Sequence, residues 1–150
     1  GGALEVPFAI MVDCNHIVTS LAPAQRLLGF PLPVVTPPGF EPLDAVRAEV
    51  PEMKVGNDPL AVTGAGVIYT DVWTSMGFEI EAGRRRAAFS GYQVDAALMR
   101  LAPEAIFLHC LPAHRGEEVT DEVIDGPASA VFEQAENRPF AQMALLAPLA

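Results

Sequence analysis

Residues 8–29 read FAIMVDCNHIVTSLAPAQRLLG. The apolar run from Phe8 to Val12 predicts a short buried strand. It stops at a polar step, Asp13-Cys14-Asn15-His16. Helical spacing then runs from Ile17 to Leu28, and Gly29 stands where a helix stop is expected. Pro23 falls near the first turn or so of that helix, where it is either tolerated or bends it. A strand, a polar loop and a helix make one βα unit.

The same alternation continues down the chain. Pro33 to Thr36 reads as a weaker second strand, and Thr36-Pro37-Pro38-Gly39-Phe40 as a loop. A short helix is predicted over Leu43 to Val50. Asp58-Pro59 opens another, with aspartate as the cap and proline at the first helical position. Gly66 to Thr70 (GVIYT) is a third strand by its β-branched and aromatic content, and it ends at Asp71. Arg84 to Arg100 is helical in pattern with a break near Ser90-Gly91. Ala105 to Leu108 is a fourth strand ending at His109, and Ala130 to Phe132 is assigned as a fifth. A terminal helix is expected from Asn137 to Leu149, with Pro139 near its start. Strands alternating with helices predict an α/β fold of three layers, α-β-α. Its sheet is mostly parallel, doubly wound and Rossmann-like, with about five strands and right-handed crossovers.

Composition sets limits on function. The 150 residues suffice for one domain with a real core, and a 51% hydrophobic, 19% charged balance is that of a folding chain. The formal charge of −10 argues against nucleic acid or an anionic membrane as main partner. Arg84-Arg85-Arg86, the one basic run, reads as the solvated face of a helix. No apolar stretch approaches the roughly 20 residues of a membrane span. The start, GGALEVPFAI, lacks a basic signal-peptide region. Two cysteines make no disulfide framework, so a reducing, cytoplasmic setting is expected.

In open parallel sheets ligands bind outside the carboxyl ends of the strands, near the point where strand order reverses. The first strand brings Asp13, Cys14, Asn15 and His16 to that edge. The third brings Asp71, with Ser75 four residues on, and the fourth brings His109 and Cys110. Singly, each has a plain structural reading: Cys14 as a small buried hydrophobe, Asp58 as a cap, Trp73 and Met76 as core. Together they predict a polar, partly buried site. Cys14-x-His16 and His109-Cys110 offer zinc-like ligands without a zinc-site spacing, so no metal is expected. A G-x-G-x-x-G cradle, a P-loop and a G-x-S-x-G elbow are absent from the sequence.

Asp71-Val72-Trp73-Thr74-Ser75-Met76-Gly77 and His109-Cys110-Leu111-Pro112 resemble the two ornithine-side signatures of ornithine carbamoyltransferases. Supporting runs are Thr36 to Pro42 (TPPGFEP), Gly91-Tyr92-Gln93-Val94, Glu117 to Val123 (EEVTDEV) and Ala135-Glu136-Asn137-Arg138. The resemblance covers the chain from about Phe8 onward, in the same motif order. Aspartate-specific relatives differ where Cys110 stands.

The resemblance implies transfer of a carbamoyl group from carbamoyl phosphate to the δ-amine of L-ornithine, giving L-citrulline and phosphate, with no cofactor or metal. It implies that Asp71 holds the α-ammonium with Ser75 beside it, while the backbone at Met76 meets the α-carboxylate. Asn15 and His16 occupy the carboxylate-binding loop, which reads Gly-Asp-Gly-Asn-Asn in the family. Cys110 lies near the δ-amine as proton acceptor under the influence of Asp71. The main chain at Cys110 and Leu111 holds the carbamoyl amino group beside a Leu111-Pro112 bond that is a candidate for cis, with His109 adjoining. Arg138 points at the carbamoyl phosphate.

Phe78 replaces the family's glutamine, the stretch between Val50 and Asp58 looks shorter, and Pro139 replaces a helix former. The family's Ser-x-Arg-Thr-Arg loop, which binds carbamoyl phosphate, is nowhere in residues 1–150. The resemblance is therefore to the ornithine-binding domain alone, without the amino-terminal carbamoyl-phosphate domain and without most of the family's homotrimer contacts. It also predicts an exposed apolar patch at Met143, Leu145 and Leu146, where the other domain would pack. Two alternatives stand beside it. One is a non-catalytic α/β domain that keeps the fold. The other is a carbamoyltransferase for another amine, such as putrescine or an acylated ornithine, although Ser75-Met76-Gly77 leans toward ornithine.

Overall fold

The computed structural model describes residues 6–14, 16–51, 53–75 and 77–149. Five short strands lie in one sheet: β1 (Phe8–Met11), β2 (Val34–Val35), β3 (Val55–Gly56), β4 (Val67–Thr70) and β5 (Ile106–His109). Their order is β3-β2-β1-β4-β5 and every pairing is parallel. The order runs outward in both directions from β1, so the chain switches sides of the sheet between β1 and β4. That is the crevice position of a doubly wound fold.

Helices cover both faces. They are α1 (His16–Leu28), α2 (Asp44–Glu49), α3 (Ala82–Phe89), α4 (Ala96–Met99), α5 (Asp121–Ile124) and α6 (Val131–Leu146), with 3₁₀ turns at Pro59–Val62, Glu79–Glu81 and Ala147–Leu149. Each face of the sheet carries its own apolar cluster. Ile10, Val12, Val18 and Tyr69 lie in one, and Ile68, Phe89, Phe107 and Val119 in the other. The central strands β1 and β4 are buried on both faces, which is why they read as unbroken apolar runs. Among the described residues no helix is long and apolar enough to cross a membrane.

Gly29 ends α1 as expected, at φ 73° with its N–H on the Gln25 carbonyl at 2.7 Å, a left-handed cap that glycine adopts without penalty. Pro23 lies inside α1 beyond its first turn, so that helix lacks one backbone donor there. The helix opened by Asp58 is a single 3₁₀ turn, with the Asp58 carboxylate on the Leu60 N–H at 2.9 Å.

Three expectations are corrected. Ala130–Phe132 is not a strand. The chain touches β5 through the bridge Phe107↔Ser129, and α6 begins at Val131. Helix formers follow at once (Glu133, Gln134, Ala135, Glu136), and Val131 and Phe132 join them as the first turn of α6. The fifth strand is Val55–Gly56 at the opposite edge. It is legible only through β2, because Val34 donates to the Lys54 carbonyl at 2.8 Å and Thr36 to Gly56 at 3.0 Å. The third correction is Arg85. Instead of facing solvent with Arg84 and Arg86, it is 4% exposed. It sits one turn before Phe89 on the buried face of α3, bonded to Asp13 at 2.5 Å and to the Trp73 carbonyl at 3.1 Å.

The terminal helix is longer than Asn137–Leu149 and contains Pro139. Its outer face leaves Phe140, Met143, Leu145 and Leu146 exposed, so the apolar patch expected from sequence is present.

Candidate functional site

Strand register builds the site. Met11 pairs with Thr70, and Thr70 pairs with His109, so three strand ends finish level. The buried Thr70 hydroxyl donates to the Met11 carbonyl at 2.7 Å and ties that edge together. In a parallel pair, residues level with each other point to the same face. Asp71 and Cys110 are each one residue past the level pair, so they meet. The Cys110 thiol donates to Asp71 Oδ1 at 2.8 Å. The Val72 N–H donates to the same oxygen at 2.7 Å, which leaves Oδ2 for another partner.

The electrostatics of this pair run against a resting thiolate. Burial, then the hydrogen bond to Asp71 and its negative charge, push the Cys110 thiol up to about 12. Tyr69, which precedes Asp71 by two residues on the same face, is also raised to about 12, by burial first and by Cys110 and Asp71, with Arg138 acting in the opposite direction. The resting site is thus a neutral thiol held on a carboxylate. Cys14 differs. It is buried, its N–H is bonded to the Phe40 carbonyl at 3.2 Å, and burial raises its thiol to about 12, so it behaves as a packed hydrophobe.

Behind Cys110 the other face of β5 holds the turn. His109 is buried, and its Nδ1 accepts the Leu111 N–H at 2.8 Å. That leaves Nε2 to carry the proton, which points at Glu118 Oε1, 3.3 Å away. Leu111 has φ 55°, a left-handed conformation uncommon outside glycine, and the Leu111–Pro112 peptide is cis. With its N–H turned inward to His109, Leu111 is fixed in that conformation. No backbone donor among the described residues reaches the Cys110 or Leu111 carbonyl.

A cleft of about 780 Å³ opens beside this turn, lined by Cys110, Leu111, Pro112, Phe132, Arg138 and Gln142 among others. Gln134, on the first turn of α6, bridges β5 and β4: its Oε1 accepts the His109 N–H at 3.2 Å and its Nε2 donates to the Tyr69 hydroxyl at 3.3 Å.

The structure therefore brings together Asp71, Cys110, His109, Leu111 and Pro112, with Arg138 across the cleft. Ser75 is buried, and its hydroxyl has no hydrogen-bond partner among the described residues. The same holds for Thr74 Oγ1 and Trp73 Nε1 in the same loop. His16 begins α1, exposed, with its carbonyl accepting the Thr19 and Ser20 hydroxyls at 3.0 and 2.9 Å, and no hydrogen bond or ion pair among the described residues joins it to Asp71 or Cys110. Asn15 and Met76 lie outside the described residues. Asp13, the first strand's aspartate, is committed to Arg85. Sequence reasoning missed Arg85, Gln134 and Glu118. Only Arg85 carried a signal, its spacing of four from Phe89.

Comparison with known proteins places this geometry. The family described as aspartate/ornithine carbamoyltransferase, Asp/Orn binding domain, matches residues 5–149. The ornithine carbamoyltransferase of Symbiobacterium thermophilum is 54% identical over 148 residues, covering 92% of this chain and 48% of that protein. That of Prochlorococcus marinus is 48% identical over 158 residues, covering 99% and 50%. Among solved structures, ornithine carbamoyltransferase from Pyrococcus furiosus superposes with a TM-score of 0.87 at 46% identity, over 97% of this chain and 50% of that one. Anabolic ornithine carbamoyltransferase from Campylobacter jejuni gives 0.91 at 30% identity, over 98% and 52%. The chain spans about half the length of the relatives it matches. The level strand ends, the Asp71–Cys110 pair and these matches lead to one conclusion: the chain belongs to the aspartate/ornithine carbamoyltransferase family, of which it spans the Asp/Orn-binding domain.

Proposed function

We propose that this domain binds L-ornithine and presents its δ-amine to carbamoyl phosphate, forming L-citrulline and phosphate. The observation that carries the reading is the Asp71–Cys110 pair at the carboxyl ends of β4 and β5, one strand from the strand-order switch, beside a cis turn whose carbonyls meet no backbone donor among the described residues. Asp71 Oδ2 is the natural partner of the α-ammonium, and the Ser75 hydroxyl, buried without a partner, adds a contact beside it. The backbone at Met76 and the Asn15–His16 loop are assigned to the α-carboxylate, on resemblance alone.

An attacking amine must be neutral. At rest the Cys110 thiol donates to Asp71, and a substrate ammonium on that carboxylate cancels part of the charge that keeps the thiol protonated. Once the thiol proton has passed to solvent, the Cys110 thiolate takes a proton from the δ-ammonium, which leaves a neutral thiol and a neutral amine. The Cys110 and Leu111 carbonyls receive the carbamoyl N–H groups, and His109 with Glu118 holds those carbonyls in place through the Leu111 amide. Arg138, exposed at the cleft, supplies a fixed cation toward the phosphate. The carbamoyl phosphate site itself is assigned to a second domain, which also carries most of the contacts of a trimer. The apolar face of α6 is the surface offered to that domain.

Isothermal titration checks the substrate assignment. L-ornithine is expected to bind more tightly than leucine, which lacks the δ-amine, and than putrescine, which lacks both α-groups. Equal heats for the three would remove ornithine from the reading, and tighter putrescine binding would move it to another amine.

A further inference from the structure

Glu118 is 0% exposed, and its two oxygens are treated unequally. Oε1 accepts the His109 Nε2–H and the His114 N–H, whereas Oε2 has no hydrogen-bond partner among the described residues. A buried carboxylate oxygen without a donor is costly, and natural proteins match such atoms to a donor, a water or an ion. His114 Nδ1 lies 4.0 Å from Oε2, beyond a direct bond. One ligating atom from each of His114, Glu117 and Glu118 falls within a 4.8 Å set.

Burial is graded across that set. His114 is 55% exposed and Glu117 27%, so the cluster has an open mouth and a closed floor. The turn beneath it is pinned. The Gly116 N–H meets the Val119 carbonyl at 2.8 Å, with Gly116 at φ 85°. The Glu117 N–H meets the His114 carbonyl at 2.9 Å, and the Val94 N–H meets the Glu118 carbonyl at 2.8 Å. Arg86 makes both its contacts with Glu117 on Oε1, which leaves the second oxygen of that carboxylate.

We propose that His114, Glu117 and Glu118 form a divalent-cation site of the imidazole–carboxylate class that takes zinc and cobalt. It has three protein ligands and a position open to water. Its ligands are distinct from Asp71 and Cys110. It joins the candidate site only through the Glu118–His109 bond, and it stands whether or not ornithine is the substrate.

Cobalt(II) titration of the protein, followed by visible absorption and calorimetry, tests it. One ion per chain is expected, with d–d bands and no thiolate charge-transfer band. H114A and E117Q, both at side chains open to solvent, should each weaken binding by more than the roughly 10–100-fold that loss of an outer-shell partner costs, and C110S should leave it unchanged. The proposal is overturned by no saturable binding to the wild type, by unchanged affinity in both H114A and E117Q, or by a charge-transfer band that C110S abolishes. The last result would put the ion at Asp71, His109 and Cys110 instead.

Discussion

Replacing Arg85 with alanine is expected to destabilise the domain by about 3–5 kcal/mol, the usual cost of leaving one member of a buried ion pair without its partner. Arg85 and Asp13 are each 4% exposed and 2.5 Å apart. The guanidinium also donates to the Trp73 carbonyl and lies 4.5 Å from the centre of the Phe78 ring and 5.3 Å from that of Phe40. It therefore fastens the loop after β1 to the loop after β4, the two segments that flank the strand-order switch. Arg86, exposed in its pair with Glu117, should cost about 1 kcal/mol or less when truncated. Urea denaturation of R85A, R86A and the double variant R85M/D13L separates the effects. The double variant should recover most of the R85A loss, because an apolar pair removes both buried charges. If R85A and R86A shift the midpoint equally, Arg85 does not have the structural role assigned to it.

The second large effect is expected at Asp71. D71N keeps the shape of the side chain and removes its charge. A hydrogen bond to a charged group is worth about 1.5–3 kcal/mol, so ornithine affinity should fall roughly 10- to 150-fold. The same substitution acts on Cys110. Its thiol sits at about 12, with burial the first cause and Asp71 the second and third. In the wild type, alkylation of Cys110 should be slow at pH 7–9 and still rising above pH 11. In D71N the profile should move to lower pH, while burial alone keeps it above the free-thiol value of 9.0. Mass spectrometry of the Cys110 peptide reads this apart from Cys14. A D71N profile that overlays the wild type would break the assigned coupling.

What the sequence displays and what it hides follow from how each feature is made. β1 and β4 are buried on both faces and β5 on one, and each is an apolar run that ends on a polar residue. The ligand edge of a parallel sheet then puts Asp71 and Cys110 on one side without any structural knowledge. Their contact at 2.8 Å is a consequence of register, which two strands 39 residues apart do not reveal until they pair. β3 is the two residues Val55–Gly56, flanked by Lys54 and Asn57, so it has no pattern of its own. Ala130–Phe132 carries strand-like composition, but the α6 sequence that follows recruits it into a helix. Gln134 and Glu118 owe their roles to His109, reached 25 and 9 residues away through tertiary packing. Arg85 looked like one of three solvated arginines. Only its spacing from Phe89, and the aspartate 72 residues earlier, mark it as core.

The central claim is that the Asp71–Cys110 edge serves carbamoyl transfer to ornithine once a carbamoyl phosphate site is present. The direct measurement is citrulline formation by this domain fused to the carbamoyl-phosphate half of a relative such as the Pyrococcus furiosus enzyme. The account predicts citrulline from ornithine and carbamoyl phosphate, with D71N and C110A each lowering kcat/KM by at least about tenfold. A folded fusion that binds carbamoyl phosphate and yields no citrulline would contradict it, and would leave a domain that has kept the fold without the reaction.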